Sequence, residues 1–262
     1  MTTYERRQAL LDILRKQPGL RVPELAVALN VSEGTVRNDL NALEEQAFLI
    51  RVHGGAVLNQ QGQFQNSSFM RRHQQNAAAK LAIAREAALL VNDSDSILLD
   101  ASSTAYYFAK ALSERRRLRV ITNGFEVARE LAQNATNTVI LIGGVVNNES
   151  SSVTGLLSEQ IIEELHIQKA FLSCSGFSLE RGMTEVHLGE AQLKRKAIKS
   201  AQELFGLLDS SKFGKEDLTS FALPEKINRL FTDNRLSSAW AERLRAAGIE
   251  FTICEEEVAP VK

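Results

Sequence analysis

The sequence predicts an α/β protein, with a small helical domain at the N-terminus and a larger domain built on a mostly parallel sheet. Two patterns predict it. Residues 6–46 carry three short helical periodicities separated by turn residues, and from Gln75 onward apolar strands alternate with amphipathic helices. Strands that alternate with helices pair in parallel, with helices on both faces. The 262 residues suffice for two ordinary domains, and 44% hydrophobic with 24% charged residues is the composition of a globular chain with a sizeable core.

Composition narrows the function. No apolar run approaches the roughly 20 residues that cross a bilayer. Charges interrupt MTTYERRQALLDIL, so no signal-peptide core is present and a cytoplasmic protein is expected. Cys174 and Cys254 belong to no CxxC or Cys/His cluster and are expected as free thiols in or near the core. His53, His73, His166 and His187 lack metal-ligand spacing, and neither a metal nor a cofactor is expected. Net charge is −1, and residues 1–62 hold seven basic and seven acidic side chains. Any nucleic-acid contact must therefore come from where the charges point.

The N-terminal domain is read as residues 1–57. Leu10, Ile13 and Leu14 give a first helix, which Pro18-Gly19 stops. A second helix starts at Val22-Pro23-Glu24 and carries Leu25, Ala26 and Leu29. Asn30-Val31 turns the chain, and Ser32 N-caps a third helix, Glu33 to Gln46. On that helix Val36, Leu40 and Leu43 form one buried stripe, while Glu33, Thr35, Arg37, Asn38 and Asn41 occupy the other face. Two helices joined this way form a helix-turn-helix, and the short polar side chains suit base edges and phosphates. Asp39, an acid facing an anion, is expected to orient Arg37 or another basic neighbour. FLIRVHGGAV follows, and its β-prone pieces flank a basic, Gly-rich tip that reads as a wing. The candidate DNA contacts are Ser32, Thr35, Arg37, Asn38, Arg51, His53 and Gly54.

LNQQGQFQNSSF shows neither helical nor strand period, and a linker is placed over residues 58–74; within it Met70-Arg71-Arg72-His73 is a basic stretch that either sits beside DNA or, as the default reading, faces solvent. The second domain covers residues 75–262. Strands are predicted at Ser96–Asp100, Leu118–Thr122, Thr138–Ile142, Ala170–Ser173, Glu203–Leu208, Arg229–Phe231 and Phe251–Cys254. Ligands of such sheets bind at the carboxyl ends of strands. Small polar residues occupy five successive strand ends. The first is Asp100-Ala101-Ser102-Ser103-Thr104, which also opens a helix; then come Thr122-Asn123, Gly143-Gly144, Ser175-Gly176 and Asp209 to Lys212. Hydroxyls and free backbone N–H groups suit a phosphate, so together these loops suggest an anionic-ligand pocket. Glu190 and Lys194, four residues apart on a helix, are either part of it or a surface ion pair. Lys212 either neutralises a phosphate or is a solvated loop lysine.

Ser32-Glu33-Gly34-Thr35-Val36-Arg37-Asn38-Asp39-Leu40, with Leu43-Glu44 and Arg51-Val52-His53-Gly54-Gly55-Ala56, resembles the DeoR family of bacterial transcriptional regulators. The segments LLDASST, VITNGFEVARELA, VILIGGVV, AFLSCSGFSLERGMT, GEAQLKRKAI and LLDSSKFG are similar, in order and spacing, to that family's effector domain, a relative of ribose-5-phosphate isomerase. The resemblance implies a repressor of carbohydrate-metabolism genes that binds a double-stranded DNA operator. It also implies a phosphorylated sugar or related metabolite as effector, and a homodimer or homotetramer. Three positions depart from the family. Asn38 replaces a frequent basic residue. Ser102 replaces Gly, which would restrict positive φ and crowd a phosphate. Ser175 replaces an Asp that would recognise hydroxyls. Two alternatives stay open: a sugar-phosphate isomerase fused to a DNA-binding domain, for which no pair of carboxylates converges in the sequence, and a DNA-bending protein without effector.

Overall fold

The computed structural model describes residues 2–45, 48–52, 54–58 and 67–256. The chain divides into two compact units, Met1–Arg71 and Arg72–Lys262. Among the described residues no helix is long and apolar enough to cross a membrane.

The first unit contains helices α1 (Thr3–Lys16), α2 (Val22–Leu29) and α3 (Glu33–Glu45), then an antiparallel hairpin of β1 (Leu49–Val52) and β2 (Gly55–Leu58). Local chemistry sets the helix ends. Thr2 and Glu5 cap α1 reciprocally, the Glu5 carboxylate accepting the Thr2 N–H at 2.7 Å. Asn30, left-handed at φ 53°, closes α2. Leu10, Leu14, Leu25, Val36, Leu40 and Leu49 build the core. The hairpin packs tightly on the turn before α2: a Cβ on Gly55 would lie 2.4 Å from the Leu20 carbonyl oxygen. Asp39 is buried on α3, where Arg6 Nε at 2.6 Å and Arg7 Nε at 2.9 Å, both from α1, contact its carboxylate. The basic neighbours it orients are therefore these two, while Arg37 pairs with Glu33 one turn away.

A helix, α4 (Ser68–Gln74), forms where the sequence shows an aperiodic linker. Seven residues make two turns, too few for a periodicity to register.

The second unit is a seven-stranded parallel sheet in the order β14-β13-β11-β8-β3-β4-β5. Its strands are β3 (Ser96–Leu99), β4 (Arg119–Thr122), β5 (Thr138–Leu141), β8 (Ile167–Leu172), β11 (Ala201–Leu207), β13 (Arg229–Asp233) and β14 (Phe251–Cys254). All seven match predicted strands. Helices α5 (Ala77–Ala88), α6 (Ser103–Ala111) and α7 (Phe125–Leu131) cover one face, and α8 (Leu156–Glu163), α9 (Leu188–Ser200) and α10 (Ser238–Ala246) the other. Alternation along the strands serves both: Ile97, Leu99 and Phe171 face the first layer, and Leu98, Ala170 and Leu172 the second. Two antiparallel additions were not legible in the sequence. One is the hairpin β6 (Val145–Asn147) with β7 (Ser152–Thr154); the other is a small sheet of β9 (Gly176–Ser178), β10 (Gly182–Glu185) and β12 (Thr219–Ala222). Each strand has only three or four residues.

The Asp39 cluster predicts an acid-sensitive N-terminal unit. Burial pushes this carboxyl up, but hydrogen bonds and charge from Arg6 and Arg7 hold it below its ordinary value. A lowered folded-state pKa gives stability that is full above the unfolded value of about 3.9 and is lost as pH falls through the folded value. Asp39→Asn should speed amide exchange in α1 and α3 at neutral pH and flatten its dependence on acid.

Candidate DNA face and candidate sensor site

The exposed face of α3 is built from its first turns. Ser32 Oγ accepts the Thr35 N–H at 3.1 Å and lies 2.9 Å from Thr35 Oγ1, so both hydroxyls are engaged locally at the helix start. Arg37 extends into solvent and, among the described residues, is tethered to Glu33 at 2.8 Å; Asn38 is exposed beside it. Arg51 is placed differently from a free phosphate contact. Its Nη1 donates to Asn41 Oδ1 at 2.7 Å and its backbone N–H to Glu44 Oε1 at 3.1 Å, which ties the wing to α3. Gly54, at φ 79°, stands at the wing tip, and its carbonyl accepts the Val22 N–H at 3.0 Å. His53 lies outside the described residues.

The candidate sensor site follows from topology. From β3 the chain proceeds to β4 and β5 on one side, then returns to β8 and runs outward through β11, β13 and β14 on the other. The strand order reverses between β3 and β8, which is where open α/β sheets bind ligands. Asp100 follows β3 and bridges this crevice: Oδ1 accepts the Ser102 N–H at 3.1 Å and Oδ2 the Ser173 N–H at 2.9 Å. Ser102 lies at φ −74°, so the Ser in place of Gly imposes no left-handed strain there. Instead its hydroxyl accepts the Ala105 N–H at 3.0 Å and caps α6. Ser103 and Thr104 are buried in the first turn of that helix.

Lys194 is buried on α9 beneath this crevice. Its Nζ lies 3.1 Å from Asp100 Oδ2 and 2.7 Å from Glu185 Oε2, and donates to the Ser173 carbonyl at 3.0 Å. Two carboxylates thus converge after all, from the end of β3 and from β10, on one ammonium. Burial alone would push Glu185 up; the charge and hydrogen bond of Lys194, with the hydroxyl of Ser175 at 2.6 Å, bring it down to about 2. Burial opposes the charge on Lys194, but Glu185 and Asp100 more than compensate and raise its pKa. Glu190 is buried too and makes no surface pair with Lys194. It accepts from Asn123 Nδ2 at 3.1 Å and Ser152 Oγ at 2.5 Å, fastening the end of β4 to β7.

The remaining loops surround this network. Thr122 Oγ1 accepts the Gly124 N–H at 3.0 Å. Gly143 and Gly144 are exposed after β5, where a Cβ on Gly144 would meet Thr154 O at 2.5 Å. Gly176 opens β9. Asp209 Oδ1 accepts the Ser211 N–H at 3.1 Å and Asn76 Nδ2 at 2.9 Å, and Lys212 stands half-buried beside it. Next to them Lys80 is buried, donating to the carbonyls of Arg72 and Gln75; burial draws its amine down to about 8 against the pull of Asp209. A cavity of about 10 Å³ under Asp100 and Lys194, lined also by Leu98, Leu172 and Leu193, has room for one water at most. It is too small for a sugar-sized ligand. Cys174 is buried beside the network, which pushes its thiol up to about 12 and keeps it protonated. The structure thus joins Asp100, Ser175 and Lys194 in one network and Asn123 with Glu190 in a second. Glu185, Ser152, Ser173, Asn76 and Lys80 were not singled out by sequence reasoning. Nothing in their spacing betrays contacts made across the topology.

Removing Lys194 leaves the buried carboxylate of Asp100 and the half-buried one of Glu185 uncompensated. Lys194→Met should destabilise the second unit by about 3–5 kcal/mol, measured by urea unfolding of the full chain, and adding Glu185→Gln should restore part of that loss. Glu185 contributes stability that is full above its unfolded value of about 4.3 and is lost as pH falls toward about 2. Glu185→Gln alone should therefore flatten the acid limb of the unfolding curve in that window.

Comparison with known proteins agrees with this division. Residues 6–62 match the DeoR-like helix-turn-helix domain, and residues 75–234 match the DeoR C terminal sensor domain. The HTH-type transcriptional regulator GolR of Listeria innocua serovar 6a is 41% identical over 97% of this chain and 100% of its own. The L-fucose operon activator of Haemophilus influenzae is 36% identical over 88% of this chain and 92% of its own. The lactose phosphotransferase system repressor of Streptococcus mutans serotype c is 35% identical over 89% of this chain and 93% of its own. With a helix-turn-helix unit ahead of a switch-point sensor fold, and similarity running the length of both, the chain belongs to the DeoR family of transcriptional regulators.

Proposed function

We propose that this regulator represses carbohydrate-metabolism genes from the cytoplasm, and that a phosphorylated sugar or derivative, bound on the rim of the strand-end loops, modulates its hold on a double-stranded operator. The observation that carries the reading is the convergence at the switch point: the Ser102-capped start of α6 adjoins Asp100, Ser175 and Lys194 at the reversal between β3 and β8. A helix start offers backbone N–H groups to an anion. Relatives named for lactose and L-fucose systems support a sugar-derived effector. Thr35, Arg37 and Asn38 are the proposed base and phosphate contacts, and paired half-sites call for a homodimer or homotetramer. The effector must bind two states of the protein unequally, or it shifts nothing.

The isomerase alternative is disfavoured by the same network. Enediol chemistry needs a general base whose pKa lies near working pH. Glu185 is held at about 2 by the ammonium it touches, and Asp100 shares that ammonium.

Titration of the full chain on its own promoter DNA with a panel of phosphorylated sugars tests the proposal. One of them should change operator affinity and melting temperature, its unphosphorylated form should not, and none should be converted; turnover at enzymatic rates, or no response across the panel, would overturn it. Arg37→Ala should weaken operator binding by about 1–3 kcal/mol while leaving effector-induced stabilisation intact. Lys212→Ala should blunt the effector response and spare DNA affinity.

A further inference from the structure

The seven-stranded sheet has two edges, β5 and β14, and they differ in chemistry. Around β14 stand Glu250, Glu255 and Glu256, and Arg245 lies 5.4 Å from the Phe251 ring centre. Charges along an edge repel a second strand, which is how proteins keep edges from pairing. The β5 side lacks that protection. Residues 137–148, NTVILIGGVVNN, contain no charged residue and no proline, and β5 runs beside β4 in unbroken register. Ile140 and Leu141 on β5, Val145 and Val146 on β6, and Leu156 and Leu157 on α8 are exposed, from 37% for Ile140 to 70% for Val145. Scattered exposed leucines are ordinary; six large apolar side chains between residues 140 and 157 mark a surface that is covered in use.

We infer that two copies of this chain meet here about a two-fold axis, β5 against β5, with β6 and α8 flanking the contact. The occupant follows from the chemistry. An isologous contact sets a surface against itself, and an uncharged edge does so without like-charge repulsion, whereas the acidic surroundings of β14 do not. A chain with one helix-turn-helix also needs a second copy to engage paired half-sites. The inference deepens the assembly part of the reading above and rests on it.

Sedimentation of the full chain at micromolar concentration tests it. The unaltered chain should be oligomeric. Leu141→Lys, and independently Leu157→Lys outside the sheet, should each halve the mass, while Ile253→Lys on β14 should leave it unchanged. An oligomer that survives both substitutions, or that Ile253→Lys splits, overturns the surface while leaving assembly standing. A monomeric unaltered chain overturns both. Should the variants misfold, amide exchange of the unaltered chain decides: protection across Thr138–Leu141 should rise with protein concentration, and protection that stays constant overturns the contact.

Discussion

The buried ammonium of Lys194 is the constraint on which the second unit depends. A charge taken out of water must be matched, and the matching groups come from three separated parts of the chain: Asp100 after β3, Ser173 after β8, and Glu185 on β10. One side chain on α9 thereby fixes the width of the crevice where strand order reverses. The secondary contacts depend on it in turn. Asp100 orients the Ser102 N–H and so the start of α6, and Glu185 orients the hydroxyl of Ser175. The candidate ligand loops are aimed by a charge cluster that itself lies beneath them.

This explains what the sequence disclosed and what it withheld. The seven sheet strands were legible because each is a buried apolar run bounded by turn residues, and Phe251–Cys254 matched to the residue. The loops at their ends were legible because a parallel sheet gathers its strand ends on one side. What those residues touch was not. Four-residue spacing placed Glu190 and Lys194 on the same helix face, but spacing gives neighbours and not depth. Both are buried, and each turns to a different partner. Glu185 could not be foreseen, because it reaches Lys194 only through β9 and β10, strands too short to leave a pattern. Ser102 was read as a loss of backbone freedom; its extended φ makes it a helix cap instead.

The first unit was more legible because its geometry is nearly all local. Caps, turns and the stripe of Val36, Leu40 and Leu43 follow from positions a few residues apart. The exceptions again cross between elements. Asp39 is neutralised from α1, more than thirty residues upstream, and Arg51 is taken up by α3.

The tie between Arg51 and Asn41 bears on how such a chain acquires a new operator. Asn41 braces the wing as well as standing on the exposed side of α3, so replacing it alters wing placement together with whatever α3 contacts at that point. Among the described residues, no hydrogen bond ties Thr35, Arg37 or Asn38 to the wing. On the proposed reading of α3, variation at those three retunes sequence preference one position at a time, while a change at Asn41 calls for a compensating change at Arg51. Divergence of operator preference among otherwise similar chains should thus concentrate in the first half of α3, with its second half drifting in step with the wing.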